Sequence, residues 1–246
     1  MTLALVIPAY NERHTIAEVV ARCRRVCEAI YVVDDGSTDG TGRVLENLPV
    51  TVIAHPENRG KAASLVAGMR AAIAEGANAV VTLDGDLQHR PEDIPRLVAA
   101  HKGNPTLVAI GSRFERPGRI PVVRRLANKF ANYWISIACG MPIRDSQSGF
   151  RLYPRRLIEN IPVAQGLEAS FVFESEILID AARAGYGIEF VSIDPLYPVG
   201  AGRHSHYRGF RDTVRIFRMV ARKILSGPKP PAHFKPTQRR YESGSN

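Results

Sequence analysis

Short apolar runs alternate with amphipathic stretches along the first half of the chain. Each run has the length of a buried strand, and each is followed by a stretch whose apolar positions recur at helical spacing. The predicted strands are residues 3–7, 29–33, 50–54, 77–83 and 107–110, and the helices that follow them are 14–28, 41–47, 59–75, 91–102 and 122–139. Strands that alternate with helices in this way predict an α/β fold with a parallel sheet and right-handed crossovers.

The second half of the chain is less regular. A polar loop that begins at Asp145 runs into a strand, a further strand is predicted at 187–193, and helices are predicted at 170–183 and 212–225. The proline, lysine, serine and glycine content after Ser226 predicts a disordered tail. The predicted organisation is one α/β domain over 1–205, a basic amphipathic helix over 206–225 and the tail over 226–246.

Composition narrows the class of protein and its partners. Hydrophobic residues make up 45% and charged residues 23% of the 246 positions, which is typical of a soluble globular domain. The net charge of +9 favours nucleic acid, an anionic membrane or phosphorylated substrates as partners. The three cysteines form no disulfide framework, so we predict reduced packing residues. The chain opens directly on a strand and has no apolar run of roughly 18 residues, so we expect a cytoplasmic protein without a signal peptide.

Acidic residues cluster where the predicted strands end. Because the carboxyl ends of parallel strands share one edge of a sheet, the loops 8–12, 34–41, 84–88 and 111–113 should converge on one crevice. The side chains expected there are Glu12, Asp34, Asp35, Asp84 and Asp86, with Arg113 opposite. Alternate residues of a strand point the same way, so we expect the carboxylates of Asp84 and Asp86 to lie on the same side. Clustered acids repel one another unless a cation compensates them, and carboxylate oxygens suit Mg²⁺.

Two common nucleotide-binding signatures are absent from the sequence. The loop after the first strand contains no glycine, so a Rossmann fingerprint is excluded. Gly60 and Lys61 are followed by Ala62 and lack the first glycine of a P-loop.

Six motifs occur in the order and spacing of a known enzyme family. They are PAYNE (8–12), DDGSTDGT (34–41), NRGK (58–61), DGDLQH (84–89), GSR (111–113) and SGFR (148–151). Over about residues 3–195 the chain resembles the family-two glycosyltransferases, and among them the dolichyl- and polyprenyl-phosphate sugar synthases. The resemblance implies a GT-A fold and an inverting transferase that uses a nucleotide-diphosphate sugar with Mg²⁺ or Mn²⁺.

The resemblance also implies roles for individual residues. The nucleoside pocket would be lined by Pro8, Ala9, Tyr10, Glu12 and Asp35. The metal ligands would be Asp84, Asp86 and Gln88, and further contacts to the donor would come from Lys61 and Arg113. A metal and a guanidinium that face the leaving diphosphate would stabilise its growing negative charge without proton transfer.

The acceptor implied by the resemblance is a lipid phosphate. Asp145 and residues 200–208 bear on this expectation. A lipid phosphate is already ionised at neutral pH and needs no general base, whereas a hydroxyl acceptor would need one, for which Asp145 is the first candidate and Glu174 and Glu176 are weaker ones. Asp145 can equally be a loop carboxylate that accepts backbone hydrogen bonds. Residues 200–208 depart from the synthases, because the lysine of the segment that closes over the diphosphate is missing. Arg203, with His204 and His206, would take that part and contact the donor, and the flanking glycines suit a mobile lid.

The predicted C-terminal helix carries two adjoining stripes. The basic stripe is Arg211, Arg215, Arg218 and Arg222, and the apolar stripe is Phe210, Val214, Phe217, Ala221 and Ile224. This pattern fits a helix lying on an anionic membrane, and it fits equally a helix docked on its own domain with a solvated basic edge. Any membrane contact would be peripheral.

Three rival functions give different expectations. A transferase of the same fold that acts on a hydroxyl of a polar-lipid or glycan acceptor would require Asp145 as base. A sugar-phosphate nucleotidyltransferase would need a glycine-rich basic loop after the first strand, and residues 8–12 contain none. A nucleic-acid binder would cluster positive charge without acids, whereas the predicted crevice is acidic, so we expect no nucleic-acid partner.

Overall fold

A mixed sheet lies at the centre of the molecule. The computed structural model describes residues 1–112, 122–160, 173–193 and 209–226, and within these ranges the sheet has seven strands in the order β3-β2-β1-β4-β6-β5-β7. The strands are β1 Leu3–Ala9, β2 Ile30–Asp34, β3 Thr51–Ala54, β4 Ala79–Thr82, β5 Leu107–Ser112, β6 Arg151–Pro154 and β7 Gly187–Ser192. All neighbouring strands are parallel except that β6 runs antiparallel to both β4 and β5.

Helices cover both faces of this sheet. They are α1 Ile16–Arg24, α2 Thr41–Leu45, α3 Lys61–Ala74, α4 Ile94–Lys102, α5 Val122–Cys139, α6 Arg155–Glu159, α7 Phe173–Arg183 and α8 Gly209–Ser226, and a 3₁₀ turn at Pro91–Asp93 leads into α4. Alternate residues of β1 point to opposite faces, so Val6 packs in one core cluster with α3, while Leu5 and Ile7 pack in another with α1 and α4. A strand covered on both faces reads as a continuous apolar run, which is the pattern seen in the sequence.

The elements predicted from periodicity are present in the described part of the chain, with ends that shift by a few residues. The sheet is mostly parallel, as predicted, and β6 runs antiparallel to both of its neighbours. One expectation was wrong in detail. β4 ends at Thr82, so Asp84 and Asp86 lie beyond the strand and not on alternate positions of it. The short helix α6 was not predicted, because five residues are too few to show a helical period.

The reversed direction of β6 determines which loops meet. Arg151, the first residue of β6, pairs with Thr82, the last residue of β4. The loop that precedes β6 therefore reaches the same edge of the sheet as the loop that follows β4. Thr82 joins the two directly, because its hydroxyl donates a 2.8 Å hydrogen bond to the carbonyl oxygen of Gly149.

The C-terminal helix α8 packs on the domain. Ile216, Met219 and Val220 are buried against the core that includes α5 and α7. The ammonium of Lys223 lies 2.7 Å from a carboxylate oxygen of Asp180 on α7. Among the helices that the structure describes, none combines the length and the apolar character needed to cross a bilayer. The predicted tail lies outside the described residues.

Candidate active site

The loop after β1 is held by side chains from the loop after β2. Ser37 and Thr41 accept hydrogen bonds from the backbone N–H groups of Asn11 and Glu12, at 3.0 and 2.9 Å. The side chain of Asn11 in turn accepts a 2.8 Å bond from the backbone of Thr38. Asn11 has a φ of +57°, a left-handed conformation that asparagine tolerates better than most residues. Both loops are thereby fixed against one another at the sheet edge, as predicted.

Asp35 fastens a third segment to this edge. One of its carboxylate oxygens accepts the backbone N–H of Arg59 at 3.0 Å, and the other accepts that of Gly60 at 2.8 Å. The imidazole of His55 lies 2.7 Å from the same carboxylate. Asp35 is buried. Its hydrogen bonds to Arg59 and Gly60 position the next residue, Lys61, at the start of α3. The structure therefore gives Asp35 a positioning role, and its predicted contact with a nucleoside stays a prediction.

Gly36 allows these segments to approach closely. It has a φ of +70°, and a Cβ built at this position would lie 2.5 Å from the backbone carbonyl carbon of Glu57. Any other residue would therefore push apart the loops after β2 and β3.

An ion-pair cluster occupies the edge beside these loops. The ammonium of Lys61 lies 2.6 Å from a carboxylate oxygen of Asp84 and 2.9 Å from one of Glu174 on α7. Gly149 closes over the cluster, because a Cβ there would lie 2.9 Å from both Asp84 Oδ2 and Lys61 Nζ. The cluster thus joins α3, the turn after β4, the loop before β6 and α7 at one point.

The pKa values of the cluster follow from its charges. Burial alone would lower the pKa of Lys61, but the carboxylates of Asp84 and Glu174 outweigh burial and raise it. Burial likewise opposes ionisation of Asp84, yet the Lys61 charge and the nearby imidazole of His89 hold the pKa of Asp84 well below its usual range. The pKa of Asp86 is raised instead, first by burial and then by the negative charge of Asp84. Among the described residues Asp86 makes no ion pair, and the nearby charges of His89 and Lys61 lower its pKa only in part.

The turn that carries Asp86 is strained. Leu87 has a φ of +63°, which is costly for a bulky residue and occurs mainly at functional sites. An oxygen of Asp86 accepts the backbone N–H of Gln88 at 3.0 Å. The ring of His89 is buried, with Nε2 3.8 Å from Asp84, while its Nδ1 has no hydrogen-bond partner among the residues described.

The part of the chain described here contains no group of three or more His, Cys, Asp or Glu residues arranged as a complete metal site. Mg²⁺ does not require one, since it is commonly held by one or two carboxylates, waters and substrate phosphates. Asp84, Asp86 and the amide of Gln88 fit such a partial ligand set.

The loop before β6 is built around a buried arginine. Arg151 is fully buried and donates to the carbonyl oxygens of Ser148 at 2.6 Å and Ser146 at 2.8 Å. Its remaining nitrogen donates to the carbonyl of Glu174, which ties the loop to α7. Asp145, predicted as a candidate base, is also buried and accepts the backbone N–H of Gln147 at 3.2 Å.

The structure brings most of the predicted site residues to one edge. The loops after β1 and β4 are adjacent, because a Cβ at Gly85 would lie 3.5 Å from the carbonyl oxygen of Pro8 and 3.6 Å from Glu12. Ala9 is buried, and Tyr10 is 40% exposed at the rim. Arg113 and Arg203, the two predicted phosphate contacts, lie outside the described residues.

Three residues at this edge were not assigned their observed roles from sequence. Glu174 was considered only as a weak candidate base, whereas it pairs with Lys61. His55 and Arg151 were not singled out for any function, and no local pattern marks a residue whose partners are distant in the chain. Its place as the last residue of the SGFR motif is the one signal that could have pointed to Arg151.

Comparisons with known proteins agree with this geometry. A family model described as Glycosyl transferase family 2 matches residues 4–162. The chain is 31% identical over 200 residues to a polyprenol monophosphomannose synthase of Mycolicibacterium smegmatis, covering 77% of this chain and 75% of the relative. It is 28% identical over 245 residues to a UDP-N-acetylglucosamine–dolichyl-phosphate N-acetylglucosaminyltransferase of Methanococcus voltae, covering 90% and 97%.

A solved structure shares the fold. Glucosyl-3-phosphoglycerate synthase of Mycobacterium tuberculosis, crystallised with Mn²⁺, uridine diphosphate and glucosyl-3-phosphoglycerate, superimposes with a TM-score of 0.63 at 23% identity, covering 93% of this chain and 81% of that one. The predicted GT-A fold and family are thereby confirmed. The chain belongs to glycosyl transferase family 2 and is a glycosyltransferase of the GT-A fold.

Proposed function

We propose that the protein transfers a hexose from a nucleotide-diphosphate sugar to polyprenyl phosphate, with inversion at the sugar, at the inner face of a membrane. The observation that carries this proposal is the cluster of Lys61, Asp84 and Glu174 under Gly149, beside Asp86, whose pKa is raised by burial and by Asp84. Relatives named for transfer to polyprenol, dolichyl and undecaprenyl phosphates support the acceptor.

A divalent cation fits the residues present. Burial and the negative charge of Asp84 raise the pKa of Asp86, and a bound cation would offset both effects. Asp84, Asp86 and Gln88 would hold Mg²⁺ or Mn²⁺, and the ion when bound would offset the charge that develops on the leaving diphosphate. The related fold crystallised with Mn²⁺ and uridine diphosphate supports this assignment.

The remaining residues bind and orient the donor. Residues 8–12 and Asp35 would surround the nucleoside. Lys61 stands in the first turn of α3, where the helix dipole and free N–H groups favour an anion, so its ammonium is placed to bind a phosphate oxygen when a ligand competes with Asp84. Arg113 and Arg203 are predicted to add charge-assisted bonds to the diphosphate.

An ionised phosphate acceptor needs no proton removed. Asp145 would then serve the loop, in keeping with its burial and its bond from Gln147. The rival with a hydroxyl acceptor assigns Asp145 the task of general base. Asp145→Asn separates the two, because asparagine can still accept the bond from Gln147 but cannot remove a proton. With polyprenyl phosphate we expect less than about a tenfold loss of turnover, whereas loss of a general base costs about a hundredfold or more.

The first test is thermal unfolding with a panel of nucleoside diphosphates and their sugars, each with and without Mn²⁺. A ligand at a hundred times its Kd should raise the free energy of unfolding by about 2.7 kcal/mol. We expect one base to stabilise the wild type in a metal-dependent way, and Asp86→Ala to abolish that effect. Glu46→Gln, at an exposed position on another surface, is the control. Absence of metal-dependent stabilisation by every nucleotide would contradict the proposal.

A further inference from the structure

Exposed apolar side chains are concentrated on two helices. Of the nine large hydrophobic residues that are exposed in the described part of the chain, six lie on α5 and α8. They are Phe130, Tyr133, Ile137, Phe217, Ile224 and Leu225, and together with the half-buried Trp134 they are called the apolar patch below. Single exposed apolar residues are ordinary, but a contiguous group of this kind marks an interaction surface.

Trp134 joins the two helices within this patch. Its ring makes edge contacts with Phe130 and Tyr133 of α5, at centroid distances of 6.2 and 5.6 Å, and with Phe217 of α8 at 5.6 Å. The aromatic side chains are therefore held in place by one another before any partner binds.

The two helices also run side by side. Arg183 of α7 donates to the carbonyl oxygens of both Ala138 and Lys223, at 3.3 and 2.8 Å, so the C-terminal ends of α5 and α8 lie together. Ile137 and Ile224 are near these ends, while Trp134 and Phe217 meet about one turn earlier on α5 and about two turns earlier on α8. The patch consequently extends along both helices as one surface.

Positive charge borders this surface. α5 and α8 together contain eight basic residues and one acidic residue, which accounts for most of the net charge of +9. Lys129, Arg218 and Arg222 are exposed beside the patch. Arg222 makes a 3.3 Å contact with Glu176, but its side chain is 70% exposed, so solvent screens this pair.

We infer that the apolar patch docks on an anionic lipid bilayer. Aromatic side chains favour the interface between headgroups and acyl chains, and flanking arginine and lysine side chains bind anionic lipid. A basic border around an aromatic centre matches that surface in both chemistry and charge. The benefit of docking rests on the proposed lipid-linked acceptor, whereas the docking itself is a separate property of these helices.

The other side of α5 connects the patch to the active site. The amide of Asn132 accepts hydrogen bonds from the backbone and hydroxyl of Ser146, at 3.1 and 2.7 Å, and donates to the carbonyl of Arg144 at 2.6 Å. One turn later, Ser136 accepts the backbone N–H of Ile143 at 2.9 Å. The helix that would rest on lipid thus holds the segment leading to Gly149 above Asp84, so a bilayer-borne acceptor would arrive beside the donor.

Trp134 is the single tryptophan of the chain, so the wild-type protein reports on its own docking. Vesicles of phosphatidylcholine with phosphatidylglycerol should bind the protein in a flotation assay, and brominated phosphatidylcholine in them should quench Trp134 fluorescence. Replacing Phe130, Tyr133 and Phe217 together by serine should reduce binding at least about tenfold, because their apolar area no longer leaves water. Val52→Ser, at an exposed position on β3, is the matched control.

Two double variants test the role of the positive charges beside the apolar patch. Arg218→Gln with Arg222→Gln should weaken binding to the anionic vesicles by about tenfold or more, at roughly 1 kcal/mol per charge, and should change binding to pure phosphatidylcholine little. Arg70→Gln with Lys102→Gln removes the same charge from another surface and should leave binding unchanged.

Two results would overturn the inference. One is wild-type protein that neither floats with anionic vesicles nor shows quenching. The other is a dimer, seen by analytical ultracentrifugation, that the triple serine variant dissociates, because the patch would then join two copies of the chain. Metal-dependent nucleotide binding, measured by thermal unfolding without lipid, should persist in the triple variant. If the wild type showed no metal-dependent nucleotide binding, that result would count against the proposed function and would leave the docking result standing.

Discussion

Two regions of the same sheet edge use their polar side chains in opposite ways. In the loops after β1 and β2, the side chains of Asp35, Ser37 and Thr41 are hydrogen-bonded to the protein's own backbone. In the cluster around Lys61, the polar groups are bonded to one another as ions. The first arrangement makes a rigid frame. The second holds charged groups that can pair with a ligand or a cation instead of with one another, because one ion pair can replace another without unfolding a loop.

The largest expected effect is on the frame. Gly36→Ala should lower the free energy of unfolding by about 4 kcal/mol, because it adds strain at positive φ and places a Cβ against the backbone of Glu57. Gly76→Ala is the control, since Gly76 also has a positive φ, +94°, but nothing lies within 4 Å of its Cβ position. It should cost only about 1–2 kcal/mol. Equal losses in urea denaturation would show that close approach of the loops is unimportant.

The next effect concerns the cluster. Lys61→Met should cost about 3 kcal/mol, because it leaves Asp84 and Glu174 without their cation. Adding Asp84→Asn to this variant should restore part of the stability, since it removes one of the two unpaired charges. Urea denaturation in the presence of a chelator measures both. If the double variant is no more stable than Lys61→Met, the ion pair does not hold this region together.

How far the sequence predicts each region depends on how local its contacts are. The strands, the loops after β1 and β2 and the acidic residues after β4 follow from short patterns, and they were found. The pairing of Lys61 with Glu174 and the reversal of β6 depend on segments far apart in the chain, so no periodicity signals them. Arg151 is the clearest case. A charged residue next to a loop is expected to be exposed. Arg151 is instead completely buried, and its guanidinium donates to three carbonyl oxygens.

A smaller effect tests the role of Asp35. Asp35→Asn retains one acceptor oxygen but places an N–H₂ group against a backbone N–H of Arg59 or Gly60. The expected loss is about 1–2 kcal/mol. Thermal unfolding with whichever nucleotide stabilises the wild type shows whether the variant also binds donor less tightly. Unchanged stability together with lost binding would mean that Asp35 contacts the nucleoside and does not position the loop.

The smallest effect sets a baseline for an ion pair outside the cluster. Arg22 of α1 contacts Glu92 through two nitrogens, at 3.0 and 2.7 Å, at a solvent-exposed site. Arg22→Gln should cost only about 0.5 kcal/mol.

This cost should depend on pH. The hydrogen bond from Arg22 lowers the pKa of Glu92. The pair therefore stabilises the fold above about pH 4.3, the usual value for an unfolded glutamate, and its contribution is lost as the pH falls through the lower value of the folded state. Urea denaturation of wild type and variant should converge in acid. A difference that persists below that range would mean that Arg22 acts through packing.

The position of β6 has a consequence for how such enzymes diverge. β6 lies in the middle of the sheet, where it is hydrogen-bonded to β4 and β5. A long segment of the chain connects β5 to β6, and the loops after β1 and β2 are not part of that segment. Insertions or replacements within the connection from β5 to β6 can therefore change the segment next to Asp84 during evolution, while the loops after β1 and β2 are inherited unaltered. One scaffold can in this way give rise to transferases that share a donor and differ in what they glycosylate.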